Sequence, residues 1–80
     1  KKITVGKSPS GLVVSPDSRW LYVANRMDNT LSQIDLRTFK IRNTTKVGVH
    51  PFGISLDKKG ERIYSANVES NDVSVLSAQN

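Results

Sequence analysis

The chain has 80 residues, 36% of them hydrophobic, with no cysteine, one histidine and a formal net charge of +5. Without cysteine, disulfides and thiolate metal sites are excluded, and one histidine falls short of the roughly three or four protein ligands zinc takes. No apolar run approaches the roughly 18 residues of a membrane span, and the basic side chains are dispersed, so the charge permits an acidic partner without specifying one.

Residues 1–5 align with residues 43–47 further along and are therefore predicted as an outer strand of a preceding or neighbouring unit. Val5-Gly6-Lys7-Ser8-Pro9-Ser10-Gly11 then crosses into a strand at 12–14. Ser15-Pro16-Asp17-Ser18 is a hairpin turn: Pro presets φ at the second position, and Asp can bond back to the chain. A second strand at 20–24 is rich in aromatic and β-branched residues. After the loop 25–29, a third strand is expected at 31–36. The turn 37–39 leads to a polar fourth strand at 40–47, whose charges guard a sheet edge.

The same sentence is then written again with a period of 42. Val47-Gly48-Val49-His50-Pro51-Phe52-Gly53 repeats the crossing, Ile63-Tyr64-Ser65-Ala66-Asn67 repeats Leu21-Tyr22-Val23-Ala24-Asn25, and Asn71-Asp72-Val73-Ser74 repeats Asn29-Thr30-Leu31-Ser32. Strands are predicted at 54–56, 62–66 and 72–76, with the turn Asp57-Lys58-Lys59-Gly60 between the first two. Four short strands per repeat is the signature of a β-propeller blade. The predicted class is all-β, with two four-stranded antiparallel blades' worth of strands. The chain divides into repeat one at about 5–46, repeat two at about 47–80 and an outer strand at 1–5. A closed ring needs roughly four to eight blades, so residues 1–80 are expected to be a partial propeller. Lys1 in place of Met and the out-of-phase cut favour either an excised segment or a protomer whose copies close a ring, three giving six blades and four giving eight.

These repeats resemble the YVTN β-propeller family, on Val5-Gly6, Ser15-Pro16-Asp17, Tyr22-Val23-Ala24-Asn25 and Asn29-Thr30-Leu31-Ser32. Three departures stand out. Ser18 replaces the turn glycine, so a left-handed backbone there is less comfortable; Asp57-Lys58-Lys59-Gly60 keeps only the glycine; and Phe39 takes the place of a small turn residue and is expected to pack against the rim. The resemblance implies a bacterial or archaeal protein that is periplasmic, secreted or on the cell surface, in a fold shared with the heavy chain of methylamine dehydrogenase and the haem-binding domain of a nitrite reductase.

In a propeller the inter-blade crossings and the second-to-third-strand loops converge on one face. The residues that differ between the copies inside the fixed Gly, Pro and Asn frame are Lys7, Ser8, Ser10, Arg26, Met27, Asp28, His50, Phe52 and Glu69, and these are the candidate ligand contacts. His50 alone offers imidazole chemistry near neutral pH, but no serine or aspartate spacing makes a triad with it, and no catalytic residue, metal or cofactor is assigned. Asn25, Asn29, Asn67 and Asn71 are read as loop-bonding amides rather than cation ligands. Phosphate-loop motifs are absent, and with Phe52 the only aromatic on that face nucleic acid is not favoured. The expected role is a non-enzymatic scaffold displaying loops to a protein partner, to other propeller blades or to a small ligand. The alternative is a propeller segment of an oxidoreductase or lyase whose catalytic groups or cofactor lie elsewhere.

Overall fold

The computed structural model describes residues 2–78 and is all-β there. Its strands are β1 (Pro9–Val14), β2 (Trp20–Asn25), β3 (Thr30–Asp35), β4 (Lys40–Lys46), β5 (Pro51–Leu56), β6 (Arg62–Asn67) and β7 (Asp72–Ser77). They form two antiparallel meanders, β1-β2-β3-β4 and β5-β6-β7. The strand cores fall where the alternation and turn residues put them. β1 and β5 begin earlier than expected, at the prolines of the two crossings.

Turn chemistry explains the hairpins. At the first turn the Ser15 hydroxyl donates to Asp17 at 2.5 Å, the Asp17 carboxylate accepts the Arg19 N–H at 3.1 Å, and the Ser15 Oγ accepts the Trp20 N–H at 3.0 Å. Asp57 plays that part in the second repeat, accepting the Glu61 N–H at 2.8 Å. Left-handed backbone recurs at matched positions: Ser8 and His50 (φ 53 each), Ser18 and Gly60 (φ 62 and 71), Asn29 and Asn71 (φ 57 each). Ser18 thus does adopt the conformation its missing glycine would favour, at a cost of roughly 1–2 kcal/mol for an L-residue. Phe39 is also left-handed (φ 60) and 44% exposed at its turn.

The two sheets approach most closely at their first strands, β1 against β5, with β2 also meeting β5. The Ser10 hydroxyl ties them, donating to the Pro51 carbonyl at 3.0 Å. Trp20, Tyr22, Ala24 and Leu31 of the first blade bury one face against Ile63 of the second, with Ile54, Leu56 and Leu76 packed around them. β6 answers with Ile63, Ser65 and Asn67 buried, while its alternate residues Arg62 and Ala66 are exposed. Each blade therefore presents two unlike faces, and one face of the first packs on the opposite face of the second. This is the stacking rule of a propeller.

The outer strand expected at 1–5 would pair with a preceding or neighbouring blade, whose strands are not among the described residues. Residues 2–5 form no strand. A strand exists through its ladder, and no described segment pairs with them; only alternating half-burial at Ile3 and Val5 survives from the strand pattern. Lys1, Gln79 and Asn80, the ends of the predicted outer strand and of repeat two, lie outside the described residues.

Candidate functional site

Strand direction sends the crossings 6–8 and 48–50 and the loops 26–29 and 68–71 to one end of the blades, and the turns 15–19, 36–39 and 57–61 to the other. The loop end is built by the same backbone bonds in both repeats. Arg26 N–H donates to the Ser8 carbonyl at 3.0 Å and Met27 N–H to that of Lys7 at 3.2 Å; Val68 N–H donates to His50 at 3.1 Å and Glu69 N–H to Val49 at 3.3 Å. Each crossing thereby lies as a short extra rung on its loop.

Buried amides lock these rungs in place. The Asn25 Oδ1 accepts the Gly6 N–H at 3.2 Å, and its Nδ2 donates to Ser32 Oγ at 2.8 Å and Thr30 Oγ1 at 3.2 Å. Asn67 Nδ2 donates to Ser74 Oγ and Asp72 Oδ1, both at 2.9 Å. The backbone must come close for this. A Cβ on Gly48 would sit 2.5 Å from Asn67 Nδ2, and one on Gly6 2.8 Å from the Asn25 side chain. The frame glycines are there for approach distance. Asn29 joins the blades: its Oδ1 accepts the His50 N–H at 2.9 Å, and its carbonyl accepts the Val47 N–H at 2.9 Å.

Of the nine candidate residues, the structure brings His50 and Glu69 together as side chains, Nδ1 of the imidazole paired with Oε2 of the carboxylate. His50 is the more sheltered, its side chain 27% exposed against 61% for Glu69. The equivalent positions in the first blade are Ser8 and Met27, so the pair exists once. Asp28 is occupied by the frame, its carboxylate accepting the Lys7 N–H at 2.9 Å. Ser10 is likewise a structural tie. Lys7, Ser8, Arg26, Met27 and Phe52 are exposed. Among the described residues no group of three or more His, Asp or Glu could hold a metal ion. The crevice between the blades, 330 Å³ and lined by Leu31, Thr45 and Val75, involves none of the nine. Asn29 bonds loop backbone as its sequence reading expected; what the sequence did not supply is that the backbone it holds is that of His50, in the crossing to the next blade.

Three carboxylates, Asp72 at the loop end and Asp17 and Asp57 at the turn end, set the acid behaviour. Hydrogen bonds from Asn67 and Ser70 hold Asp72 below its ordinary 3.8, and the Ser15 hydroxyl and the Arg19 N–H do the same for Asp17. At Asp57 desolvation pushes upward, but the N–H groups of Glu61, Arg62 and Gly60 outweigh it. A depressed folded pKa stabilises above the unfolded value and that stability is lost as pH falls through the folded value. Unfolding midpoints should therefore hold from neutral pH to about 5 and drop below about 4. Asp72→Asn should flatten that acid slope in denaturant titrations; an unchanged slope would refute the assignment.

A family model described as "Lactonase, 7-bladed beta-propeller" matches residues 1–80. A curated 6-phosphogluconolactonase of Buchnera aphidicola subsp. Baizongia pistaciae (strain Bp) is 34% identical over 71 residues, covering 82% of this chain and 21% of that protein. Among solved structures, Kuenenia stuttgartiensis hydrazine synthase superposes with a TM-score of 0.89 at 29% identity, over 98% of this chain and 22% of that one. A candidate 6-phosphogluconolactonase of Bacteroides uniformis ATCC 8492 gives 0.77 at 19% identity, over 91% and 23%, a likeness of fold alone. The chain spans about a fifth of the length of the curated relative it matches. These matches overturn the reading of a non-enzymatic scaffold and favour its enzyme alternative.

Proposed function

This chain belongs to the seven-bladed β-propeller lactonase family, and we propose that it forms two consecutive blades of a ring that hydrolyses a lactone at its loop face. The observation that carries this reading is the His50–Glu69 pair. It stands where the frame is fixed and only the displayed side chains vary, and it supplies what ester hydrolysis needs. A carboxylate on Nδ1 holds the imidazole tautomer that leaves Nε2 free as a general base. His50 takes a proton from water as the water oxygen bonds to the lactone carbonyl carbon. The ring C–O bond then breaks, and the proton passes to the departing ring oxygen, opening the lactone to a hydroxy acid. Lys7 and Arg26, exposed on the same end, offer positive charge to the oxyanion or to an anionic substituent such as the phosphate named in the Buchnera relative.

Seven is not a multiple of two, so copies of this chain alone do not make the family's ring, and its partners are read as other blades. We read the blades more finely as YVTN-type repeats, supported by Tyr22-Val23-Ala24-Asn25 and its second copy.

The test is acid release from 6-phosphogluconolactone by the protein with its ring complete. His50→Asn should lower kcat by about 10²- to 10⁴-fold with KM little changed, and Glu69→Gln should lower it less. A His50→Asn protein that hydrolyses the lactone at the parent rate would sink the reading.

A further inference from the structure

We propose that the outer corner of the first blade, at the turn end and away from the loop face, is a binding site for a phosphate-type oxyanion on a small molecule. It is built from Arg19, Lys40 and Arg42 around the Trp20 indole, and it does not depend on the lactonase reading.

A hollow of 460 Å³ opens there, lined by Arg19, Trp20, Thr38, Lys40 and Arg42 among others. Two guanidinium groups crowd one ring, Arg19 at 4.5 Å and Arg42 at 5.0 Å from its centroid. Indole faces attract cations, but nothing in that attraction offsets the repulsion between the two. The one carboxylate in the hollow is Asp35. It lies 3.8 Å from Arg19 and is shared with Arg37, taking that residue's Nε at 3.7 Å and its backbone N–H at 2.9 Å. Among the described residues neither Lys40 nor Arg42 has an ion-pair partner. The corner is a local excess of positive charge.

Two donors on residues beside the hollow also lack acceptors. Trp20 is fully buried, and its Nε1 has no hydrogen-bond partner; the buried Nε of Arg19 beside it has none either. Buried donors without acceptors are uncommon in folded proteins. Two of them lie on residues that line one basic hollow. Guanidinium forks match oxyanions in geometry, and donors arriving from Arg19, Arg42, Lys40 and Thr38 suit a tetrahedral group better than a planar carboxylate.

The site is not a by-product of the repeat. Glu61, Arg62 and Ser77 stand in the second blade where Arg19, Trp20 and Asp35 stand in the first. Arg42 reaches the ring because it is the extra residue of a β-bulge: Gln33 pairs with Asn43 and Ile34 with Ile41, leaving Arg42 between. Bulges re-aim side chains in this way.

Trp20 is the sole tryptophan of the chain, so its fluorescence reads this corner together with the inter-blade face on which it packs. Inorganic phosphate titrated into the chain at constant ionic strength should give a saturable change in emission. Arg42→Gln should weaken the apparent affinity by about tenfold or more, while Arg62→Gln, which stands in the second blade where Trp20 stands in the first, should leave it unchanged. If circular dichroism shows Arg42→Gln unfolded, Lys40→Gln on the exposed start of β4 is read instead and should weaken binding severalfold. No saturable response, an equal response to acetate, or undiminished binding by a folded Arg42→Gln chain would each overturn the proposal.

Discussion

Leu31→Ala is expected to destabilise the 80-residue chain by about 2–5 kcal/mol, whereas Val73→Ala, at the same position one repeat later, should stay within about 0.5 kcal/mol. The two residues occupy equivalent rungs, Leu31 opposite Ala24 and Val73 opposite Ala66. Leu31 is 4% exposed and Val73 60%. The difference is made by the neighbouring sheet, which lies over the Leu31 face of the first blade and leaves the corresponding face of the second bare. Truncating Leu31 therefore removes transfer free energy and opens a cavity, and truncating Val73 does neither. Urea unfolding of the chain at low concentration, with its solution mass checked by light scattering, measures both. Where Leu31→Ala unfolds the chain outright, Ile63→Val on the same interface should cost about 1 kcal/mol. Equal costs at Leu31 and Val73 would show that the second blade's outer face is covered in solution, and the exposed face described above would be wrong.

That contrast also shows why the fold was legible. A blade's strands are specified locally. Pro16 and Asp17 fix a hairpin, Tyr22 and Val23 prefer a pleated surface, and the 42-residue spacing repeats them. What needs a partner was not legible. Residues 2–5 have the composition of a strand and no ladder among the described residues, because pairing is a property of two segments. The Arg42 bulge depends on how β4 slips against β3, and no local signal marks it. His50 and Glu69 were each readable as displayed residues. Their pairing across nineteen positions of chain required knowing that the crossing lies as a rung on the loop. The reaction was the least legible of all, since the propeller frame is common to many chemistries and the frame is what repeats.

Asn25→Ala should destabilise by about 2–4 kcal/mol, more than its small loss of volume warrants, because it strands polar groups that water does not reach. The amide is fully buried and serves three partners: Gly6 N–H on one side, Thr30 and Ser32 hydroxyls on the other. Alanine deletes all three bonds and leaves the Gly6 donor pointing into a void. Asn25→Asp is expected to be no milder, since it removes the two Nδ2 donors and buries a charge without a cation. The same change at Asn67 separates structure from function. Its bonds to Asp72 and Ser74 hold the second loop, which carries Glu69 to His50. In the complete ring, Asn67→Ala should therefore reduce lactone hydrolysis beyond what its loss of stability explains, and by more than Asn25→Ala, which disturbs the crossing and loop of Lys7 and Arg26 but not the His50–Glu69 pair. Hydrogen exchange at Gly6 N–H, expected to quicken in Asn25→Ala and not in Asn67→Ala, reports whether each amide acts on its own loop. A loss of activity equal in the two variants would mean that the frame, and not the pair it positions, is what the substitution at Asn67 disturbs.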